Sequence, residues 1–474
     1  MTRRTKIVAT LGPASREPDR IRELIDAGAD CFRLNFSHGN QDQHTETIER
    51  VRAASQTADR EVALLGDLPG PKLRIGLIRG DVMELAEDDA LTLTVRPEPE
   101  IEGEAVPVSW TGLPQAVDEG DEIYLADGTI RLRVRAISGP DVRCVVEQGG
   151  TLSSRKGLNL PGSTRGLPAT GAADIAWVEF AASHDVDLLA VSFVRTASDL
   201  EPVVERLTQL GSEIEVIAKI EKPEALDNAE DIIRAVTGGI MVARGDLGIE
   251  LPIERVASVQ KRLLKLAGRY SVPTITATQM LASMVRSNRP TRAEATDVAN
   301  AIHDGTDAVM LSEETAVGEH PVEAVKMMAA IARETEKDLP YDHWLWNRAG
   351  SVESGEVAET VAQGAVNAAY RLGLAAIVVP SRSGRTARLV SARRPRMPIL
   401  VLSPDPGTVR RVKLLFGVRS RSEPDLDSLR ALLDDCANQA REAGVAKSGD
   451  LVGVTAGLPE QKLGTNLFEV HRVP

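Results

Sequence analysis

The sequence predicts an α/β protein made of a (βα)8 (TIM) barrel, an inserted β lid and a C-terminal α/β domain. Three features of the sequence support this prediction. Short β-branched runs alternate with amphipathic stretches of helical period, one long segment of different pattern interrupts the alternation, and a new α/β series starts after about residue 338. The chain of 474 residues is long enough for several domains of roughly 100 to 200 residues each.

Eight short apolar runs are the candidate barrel strands. They span residues 6–11, 31–37, 61–68, 187–194, 215–221, 239–246, 273–280 and 308–315. Neighbouring runs are about one βα unit apart, except that a much longer segment separates the third from the fourth. We therefore expect a barrel over residues 1–69 and 166–338, with an insertion in one βα loop.

The insertion and the C-terminal part have patterns of their own. Residues 70–165 contain short alternating runs separated by Gly, Pro and Asp, which is typical of a small antiparallel β module and predicts a lid on the barrel rim. Residues 339–474 begin with a linker-like segment and continue as a separate α/β domain. The helices predicted in this domain span residues 356–371, 384–394, 406–416 and 425–443. The strands predicted in it are AAIVVP (375–380), PILVLSP (398–404), GDLVGVTAG (449–457) and NLFEVHRV (466–473).

The composition excludes several classes of protein. An apolar content of 42% with charges of both signs is typical of a globular chain and not of a disordered one. No run approaches ~20 apolar residues, and the basic N-terminus lacks the apolar core of a signal peptide, so we expect no membrane partner. A net charge of −13 argues against a nucleic-acid partner. Three cysteines without metal-ligand spacing indicate reduced thiols and a cytoplasmic protein.

Polar residues gather where the predicted strands end. In a parallel barrel the strand interiors are apolar and the chemistry collects at the carboxyl ends of the strands. The polar residues at these ends are Arg33, Asn35, Ser37, Asp67, Ser192, Lys219, Glu221, Arg244, Asp246, Thr278, Glu313 and Glu314. This distribution predicts a catalytic rim.

The most informative local pattern joins the fifth and sixth strands. Lys219 and Glu221 are two residues apart on a strand, so their side chains lie on the same face. Glu221 and Asp246 could share a divalent cation that prefers oxygen ligands, and Lys219 would add a second positive charge. The alternative is a Lys–Glu ion pair inside the barrel. Lys222 points the other way and is expected to be a surface or rim charge.

Seven motifs together resemble the pyruvate kinase family. They are RLNFSHG (33–39), DLPGPKLRIG (67–76), KGLNLPG (156–162), VIAKIEKPEA (216–225), MVARGDLGIELP (241–252), ATQML (277–281) and NRPTRAEATDVANAIHDGTDAVMLSEET (288–315). Their order is that of the family over nearly the whole chain, so the set is far more specific than any single motif. The resemblance implies a (βα)8 barrel with an inserted small β-barrel lid and a C-terminal α/β domain.

The resemblance also implies phosphoryl transfer from phosphoenolpyruvate to MgADP, which yields ATP and pyruvate. It implies catalytic roles for Lys219, which neutralises the phosphoryl oxygens, for Thr278 in protonation of the enolate, and for Arg33 in phosphate contact. Mg²⁺, or Mn²⁺ in its place, would be held by Glu221 and Asp246. The substrate-binding set is Arg33, Ser192, Lys219, Gly245, Asp246 and Thr278.

The nucleotide site and a cation site follow from the same resemblance. Family positions around ADP correspond to Asn35, His38, Arg74, Lys156 and the lid residue Asp127. A candidate monovalent cation site corresponds to Asn35, Ser37, Asp67 and Leu68. Family members that need K⁺ have D-T-K-G-P-E at the end of the third strand, whereas this chain has D-L-P-G-P-K over residues 67–72. The ammonium of Lys72 would supply the charge of the ion, so we expect that K⁺ is not required.

A second anion-binding pattern lies in the C-terminal domain. The strand AAIVVP runs into a helix through Ser381, Arg382, Ser383, Gly384, Arg385 and Thr386. Hydroxyls and amides at a helix N-terminus can hold a phosphate, although a simple helix cap has the same pattern. In the family this segment binds a phosphorylated allosteric effector, and the family assembly implies a homotetramer. The loop over residues 456–466 is slightly shorter than in the family, which leaves the effector unidentified.

Two other functions stay open from the residues alone. One is a Mg²⁺-dependent carbon–carbon lyase of the pyruvate and phosphoenolpyruvate barrel group, which also forms an enolate but has no ADP for a lid to cover. The other is an inactive paralogue that senses metabolites. Retention of Lys219, Glu221, Asp246 and Thr278 argues against an inactive protein.

Overall fold

The computed structural model describes residues 3–71, 73–97, 105–126, 128–160, 166–344, 356–423, 429–457 and 465–474. The chain begins with β1 Lys6–Thr10, α1 Pro18–Ala27, β2 Cys31–Asn35, α2 Gln41–Thr57 and β3 Ala63–Asp67. The insertion follows with β4 Val82–Leu85, β5 Ala90–Thr94, β6 Val106–Pro107, α3 Leu113–Ala116, β7 Glu122–Leu125, β8 Ile130–Ser138, β9 Asp141–Gln148, β10 Gly150–Ser153 and β11 Leu158–Asn159.

The chain then returns to βα units. These are α4 Ala172–Ser183, β12 Leu188–Val191, α5 Glu201–Gln209, β13 Glu215–Ile220, α6 Glu224–Asp227, α7 Ala229–Ala235, β14 Gly239–Ala243, α8 Arg244–Glu250, α9 Ile253–Arg269, β15 Thr274–Ala277, α10 Arg292–His303, β16 Ala308–Leu311, α11 Glu313–Ala316 and α12 Pro321–Thr335. The last part contains α13 Val357–Leu372, β17 Ala376–Pro380, α14 Arg385–Ala392, β18 Ile399–Ser403, α15 Pro406–Arg411, β19 Val418–Ser422, α16 Leu429–Glu442, β20 Leu451–Ala456 and β21 Leu467–Arg472.

All eight predicted barrel strands are confirmed. They form a closed parallel barrel in the order β1-β16-β15-β14-β13-β12-β3-β2. Alternate residues along each strand face the interior, and those near the strand starts are apolar and fully buried, as Leu65, Ala190 and Ile217 illustrate. The next interior positions are Asp67 on β3, Lys219 on β13 and Ser192, one residue beyond the end of β12. The alternation of the strands therefore directs these polar side chains inward at the carboxyl end of the barrel.

The insertion is the expected small β-barrel. Six strands form a sheet in the order β11-β7-β8-β9-β5-β6. The segment at Arg74 and Ile75 closes this sheet, because Arg74 pairs with Gly157 beside β11 and Ile75 pairs with Val108 beside β6. The interior has its own hydrophobic cluster, which includes Leu93, Ile123 and Leu132. Such a core gives the insertion an independent scaffold.

The C-terminal domain contains one strand that the sequence pattern missed. Its sheet has the order β19-β18-β17-β20-β21, with β21 antiparallel to β20. The predicted helix over 406–416 was too long, because α15 ends at Arg411, a 3-10 turn spans Val412–Leu414, and β19 begins at Val418. The sequence of β19 is VRSRS, and an edge strand with alternating Arg and Ser has no apolar run that would reveal it.

The C-terminal domain packs against the amino ends of the barrel strands. Leu414 joins the hydrophobic cluster of the barrel interior. Arg410 pairs with Asp187 at 2.7 Å, and Arg394 pairs with Asp307 at 2.9 Å. This domain thus covers the end of the barrel opposite the polar strand ends.

The cysteines and the helices were also compared with the sequence analysis. The three cysteines are buried free thiols. Among the described residues, no helix combines the length and the apolar character that crossing a membrane requires.

Candidate active site

A lysine surrounded by oxygen atoms forms the centre of the candidate site. Lys219 Nζ lies 3.1 Å from Asp67 Oδ1 and 2.9 Å from Glu221 Oε1, and it donates a hydrogen bond to Ser192 Oγ at 2.7 Å. Burial alone would lower the pKa of Lys219, but the carboxylates of Asp67 and Glu221 outweigh it and raise that pKa above its ordinary value. Lys219 is therefore a permanent cation at the end of the barrel interior.

Arg33 is oriented by the same group of residues. Its Nε donates to Asp67 Oδ2 at 2.6 Å, and one terminal nitrogen donates to Thr10 Oγ1 at 3.2 Å. Burial opposes ionisation of Asp67, but Lys219 and Arg33 together hold the pKa of this carboxyl below its ordinary value. Asp67 thus positions two cations on adjacent parts of the rim.

Glu221 is held by the backbone that follows β12. Its side chain is fully buried, and its Oε2 accepts a hydrogen bond from the amide of Phe193 at 2.7 Å. Phe193 has a φ of +56°, a left-handed conformation that is unusual for a residue with a bulky side chain. Burial raises the pKa of Glu221 above its ordinary value, with Lys219 opposing the shift and Asp246 adding to it.

The residues around Glu221 fit a divalent cation. Among the described residues, no group of three or more His, Cys, Asp and Glu side chains forms a complete metal cage. Mg²⁺, however, commonly takes only one or two carboxylates from the protein and completes its shell with water and substrate oxygens. The buried Oε1 of Glu221 faces the ammonium of Lys219 at 2.9 Å and has no other hydrogen-bond donor in the described part of the chain. Glu221 and Asp246, which interact electrostatically, supply the hard oxygen donors that Mg²⁺ or Mn²⁺ prefers.

Thr278 lies in a strained turn after β15. Thr278 and Gln279 have φ angles of +74° and +54°, and such left-handed backbone costs on the order of 1 kcal/mol or more per residue. Arg244 holds the turn, since its guanidinium donates to the carbonyl oxygens of Ala277 at 3.1 Å and Thr278 at 2.9 Å. Asp297 fixes Arg244 in turn through a contact of 2.6 Å. This arrangement directs Thr278 by tertiary contacts and not by local preference.

Gly245 and Asp246 open the short helix α8 beside Thr278. A side chain on Gly245 would collide with Thr278, because a Cβ atom there would lie 2.6 Å from Thr278 Cγ2. Asp246 interacts electrostatically with both Lys219 and Glu221. The substrate residues predicted on β12, β13, α8 and the turn after β15 are therefore adjacent in the fold.

The residues expected around the nucleotide lie on two different parts of the structure. Asn35 Oδ1 accepts from the amide of Ser37 at 3.2 Å, and the exposed His38 accepts a hydrogen bond from His44 through its carbonyl oxygen, at 2.8 Å. Arg74 and the exposed Lys156 lie in the inserted barrel, where the amide of Ile75 donates to the carbonyl oxygen of Lys156. Asp127 lies outside the described residues.

Oxygen atoms of the candidate monovalent cation site already have protein partners. Leu68 is buried, and its carbonyl oxygen accepts the hydroxyl of Ser192 at 2.7 Å. Asp67 contacts Lys219 and Arg33, as described above. Lys72 lies outside the described residues, as do residues 458–464 of the C-terminal loop.

The segment predicted to bind an effector connects β17 to α14. Ser381 Oγ accepts a hydrogen bond from the amide of Gly384 at 3.0 Å, and Gly384 has a φ of +76°. Ser383 is exposed, whereas Thr386 is buried and bonded to Thr465. Arg382 is exposed and its carbonyl oxygen accepts from Thr408, and Arg385 pairs with Glu356 at 2.9 Å. The exposed hydroxyl and guanidinium groups surround the start of α14.

The expectation for Lys222 is wrong. Its side chain does point away from the barrel interior, but it is buried and its Nζ lies 2.6 Å from Glu250 Oε1. The reason is that α8 folds back over the end of β13 and brings Glu250 onto Lys222. Lys222 and Glu250 are 28 residues apart in the sequence, and no local sequence pattern predicts a contact over that separation.

Glu314 is a second residue whose role only the fold reveals. Its buried carboxylate accepts hydrogen bonds from the amides of Leu281 at 3.0 Å and Ser312 at 2.7 Å. These bonds join the turn that carries Thr278 to the loop after β16. Its neighbour Glu313 is exposed.

Comparison with known proteins identifies relatives over the full chain. Residues 2–325 match the family described as pyruvate kinase, barrel domain, and residues 359–471 match pyruvate kinase, alpha/beta domain. The chain is 41% identical to a pyruvate kinase of Thermococcus litoralis, over 99% of each protein. It is 40% identical to a pyruvate kinase of Mycobacterium tuberculosis, over 100% of this chain and 99% of that protein.

A solved structure agrees with these relatives. The crystal structure of a pyruvate kinase from Cryptosporidium parvum superposes with a TM-score of 0.94 at 34% identity, over 100% of this chain and 96% of the other. Of the functions that the sequence left open, these matches support phosphoryl transfer over a lyase reaction. The chain belongs to the pyruvate kinase family, phosphotransferases that convert phosphoenolpyruvate and ADP to pyruvate and ATP.

Proposed function

We propose that the group around Lys219 is the place where the phosphoryl group moves from phosphoenolpyruvate to ADP. The observation that carries this proposal is the position of Lys219 Nζ, within about 3 Å of Asp67, Ser192 and Glu221 and at the carboxyl end of the barrel interior. Two anionic substrates repel each other, so the protein must supply positive charge where they meet. Lys219 supplies it without rearrangement, because its partners already hold the ammonium in place.

Arg33 and the two acidic residues complete the electrostatic environment. Arg33, held by Asp67 and Thr10, binds the phosphate of the substrate through the nitrogen that these partners leave available. Glu221 and Asp246 would hold Mg²⁺ or Mn²⁺, which when bound supplies Lewis-acid neutralisation of anionic oxygens. Ser192 keeps Lys219 in position.

Thr278 acts after the phosphoryl group has left. The remaining enolate needs a proton on carbon, and the hydroxyl of Thr278 orients the donor on one face of the substrate. Gly245 permits the substrate carboxylate to approach the backbone of α8, since this position has no side chain. The left-handed backbone at Thr278 supports this role, because strained backbone conformations are concentrated at active sites.

The inserted barrel serves as a lid over the nucleotide. Arg74, Lys156 and Asp127 of the lid, with Asn35 and His38 of the barrel, bind ADP. Closure of the lid excludes water, which would otherwise accept the phosphoryl group and waste it as free phosphate.

Three finer properties belong to the same proposal. The enzyme works without K⁺, since Lys72 adds a positive charge to the chain itself and the oxygens of Asp67 and Leu68 already have protein partners. A phosphorylated metabolite activates it by binding the segment over residues 381–386. The active form is a cytoplasmic homotetramer.

A coupled assay tests the proposed chemistry. Pyruvate formation from phosphoenolpyruvate is measured with each of ADP and Mg²⁺ omitted in turn. We expect pyruvate and ATP in equal amounts, and only when both are present. Pyruvate formed without ADP would indicate a phosphatase or a lyase in place of the proposed transfer.

A further inference from the structure

Lys222 and Glu250 form a buried ion pair immediately behind the candidate metal ligands. Lys222 Nζ lies 2.6 Å from Glu250 Oε1, and the two side chains are 6% and 1% exposed. The other oxygen, Glu250 Oε2, is buried and accepts no hydrogen bond from the described residues. A buried pair of this kind adds little to stability, because removing both charges from water costs as much as their attraction returns. Its presence therefore calls for a role other than stability.

The pair connects the two elements that carry the acidic residues. Lys222 directly follows Glu221 at the end of β13, and Glu250 is the last residue of α8, whose first turn contains Asp246. A hydrogen-bonded contact across these ends fixes α8 relative to β13. It consequently fixes the position of Asp246 relative to Glu221.

Lys222 also contacts the segment that holds Glu221 from the other side. Its Nζ lies 5.9 Å from the centre of the Phe193 ring, within the range of a cation–π contact. The amide of Phe193 donates to Glu221 Oε2 at 2.7 Å. The ammonium of Lys222 thus touches both the helix of one metal ligand and the turn that orients the other.

We propose that Lys222 and Glu250 are positioning residues that set the geometry of Glu221 and Asp246 for the divalent cation. This inference relies on the proposed metal site, and it assigns to the pair an effect on metal affinity. Residues behind metal ligands commonly change affinity by about 10- to 100-fold when they are replaced. The pair does not touch the reacting atoms, so the turnover number at saturating metal depends on it weakly.

Two single substitutions distinguish a positioning role from a purely electrostatic one, because the two roles predict different directions of change in metal affinity. Lys222→Met removes a positive charge near the cation site, and Glu250→Gln removes a negative one. If the pair acted through charge alone, the first variant would bind the metal more tightly and the second more weakly. If the pair positions the ligands, both variants bind it more weakly.

The experiment measures Mn²⁺ binding to the full-length enzyme without substrates, from the electron paramagnetic resonance signal of the free ion. We expect a dissociation constant about tenfold higher for Lys222→Met and for Glu250→Gln. Lys222→Arg, which keeps the charge and the contact, should stay close to the wild type. The loss of Mn²⁺ binding free energy in the double variant should be smaller than the sum of the losses in the two single variants, since the two residues contact each other directly.

A matched control comes from the opposite end of the barrel. Arg394 is also a buried cation that pairs with a carboxylate, Asp307, and lies over an aromatic ring, that of Phe416. Arg394→Met should lower the melting temperature without changing Mn²⁺ affinity. Unchanged or tighter binding in Lys222→Met would overturn the proposal, as would equal weakening in Arg394→Met. If Lys222→Met does not fold, the double variant Lys222→Met/Glu250→Gln decides the question. It leaves the net charge of the pair unchanged, so charge alone predicts unchanged Mn²⁺ affinity and only a positioning role predicts weaker binding.

One more variant distinguishes failure of this inference from failure of the metal site. Glu221→Gln is measured in the same way. If it leaves Mn²⁺ binding unchanged, the proposed metal site is wrong. If it weakens binding while Lys222→Met does not, only the positioning role is wrong.

Discussion

A Cβ atom on Gly245 would lie 2.6 Å from Cγ2 of Thr278, far closer than two carbon atoms can pack. The first turn of α8 and the turn after β15 therefore touch through a position where only glycine fits. This contact joins the residue proposed to admit the substrate carboxylate to the residue proposed to orient the proton donor. Arg244, the neighbour of Gly245, holds the same turn through the carbonyl oxygen of Thr278.

Gly245→Ala should reduce turnover by at least about tenfold, because the new methyl group displaces Thr278 from its position. Gly248→Ala is the matched control in the same helix, since its Cβ would meet Ile253 at an ordinary 3.4 Å. The control should keep full turnover, with stability equal to or above the wild type. Steady-state kinetics of both variants check this expectation. Equal turnover in the two variants would contradict a role for the Gly245–Thr278 contact.

Lys219→Met should lower turnover by about 10²- to 10³-fold or more, because it removes a charge that acts on the moving phosphoryl group. The fold and substrate binding should persist, as circular dichroism and equilibrium binding of phosphoenolpyruvate would report. Lys261→Met is the control, because Lys261 is an exposed lysine whose partner is Asp304. Near-normal turnover in Lys219→Met would remove Lys219 from the mechanism.

The enzyme should be fully active with tetramethylammonium as the only monovalent cation. The physical reason is that the ammonium of Lys72 is always present, whereas a bound ion must be taken up from solution. Lys72→Glu should create a requirement for K⁺. The measurement is turnover at constant ionic strength with and without KCl. A many-fold rise in the wild type on adding KCl would show that the charge of Lys72 does not replace the ion.

Ser383→Asp should weaken activation by a phosphorylated metabolite and leave maximal velocity unchanged. An added carboxylate at this exposed position repels a phosphate at the start of α14. Any activator must act through different affinities for two states of the enzyme, so the readout is the concentration that gives half-maximal activation. Ser448→Asp, at an exposed position elsewhere in the same domain, is the control. If sugar phosphates and nucleotides leave the wild type unaffected, the segment has no effector function.

Lys6 should make stability depend on pH in the alkaline range. Burial lowers its pKa to about 8, even though Asp30 opposes the shift. The unfolded chain keeps this proton up to a pH of about 10.4, so between these values the unfolded state binds more protons and stability rises with pH. The contribution is at most about 1.4 kcal/mol per pH unit. The melting temperature of the wild type should therefore rise relative to that of Lys6→Met between pH 8 and 10. If the melting temperatures of the wild type and of Lys6→Met change with pH in parallel, the lowered pKa of Lys6 is contradicted.

The barrel was predictable from the sequence because its strands are buried on both faces. Such strands appear as short continuous apolar runs, and the strand period of two is enough to place Lys219 and Glu221 on one face. The ring of polar strand ends followed from the same regularity, since parallel strands end on one rim. Strand β19 was missed because its Arg and Ser residues lie at a sheet edge and leave no such run.

Contacts between distant segments were decided by the tertiary structure alone. The burial of Lys222 against Glu250, the anchoring of the Thr278 turn by Arg244, and the bridge that Glu314 forms to Leu281 each join separate loops. A sequence pattern reports the face on which a residue lies, because that depends on the local backbone period. It does not report which distant loop packs against that face, because contacts between loops depend on the packing of the whole barrel. The amino-acid sequence thus determined the family, the barrel and most of the candidate site residues, while the fold alone determined which of them touch.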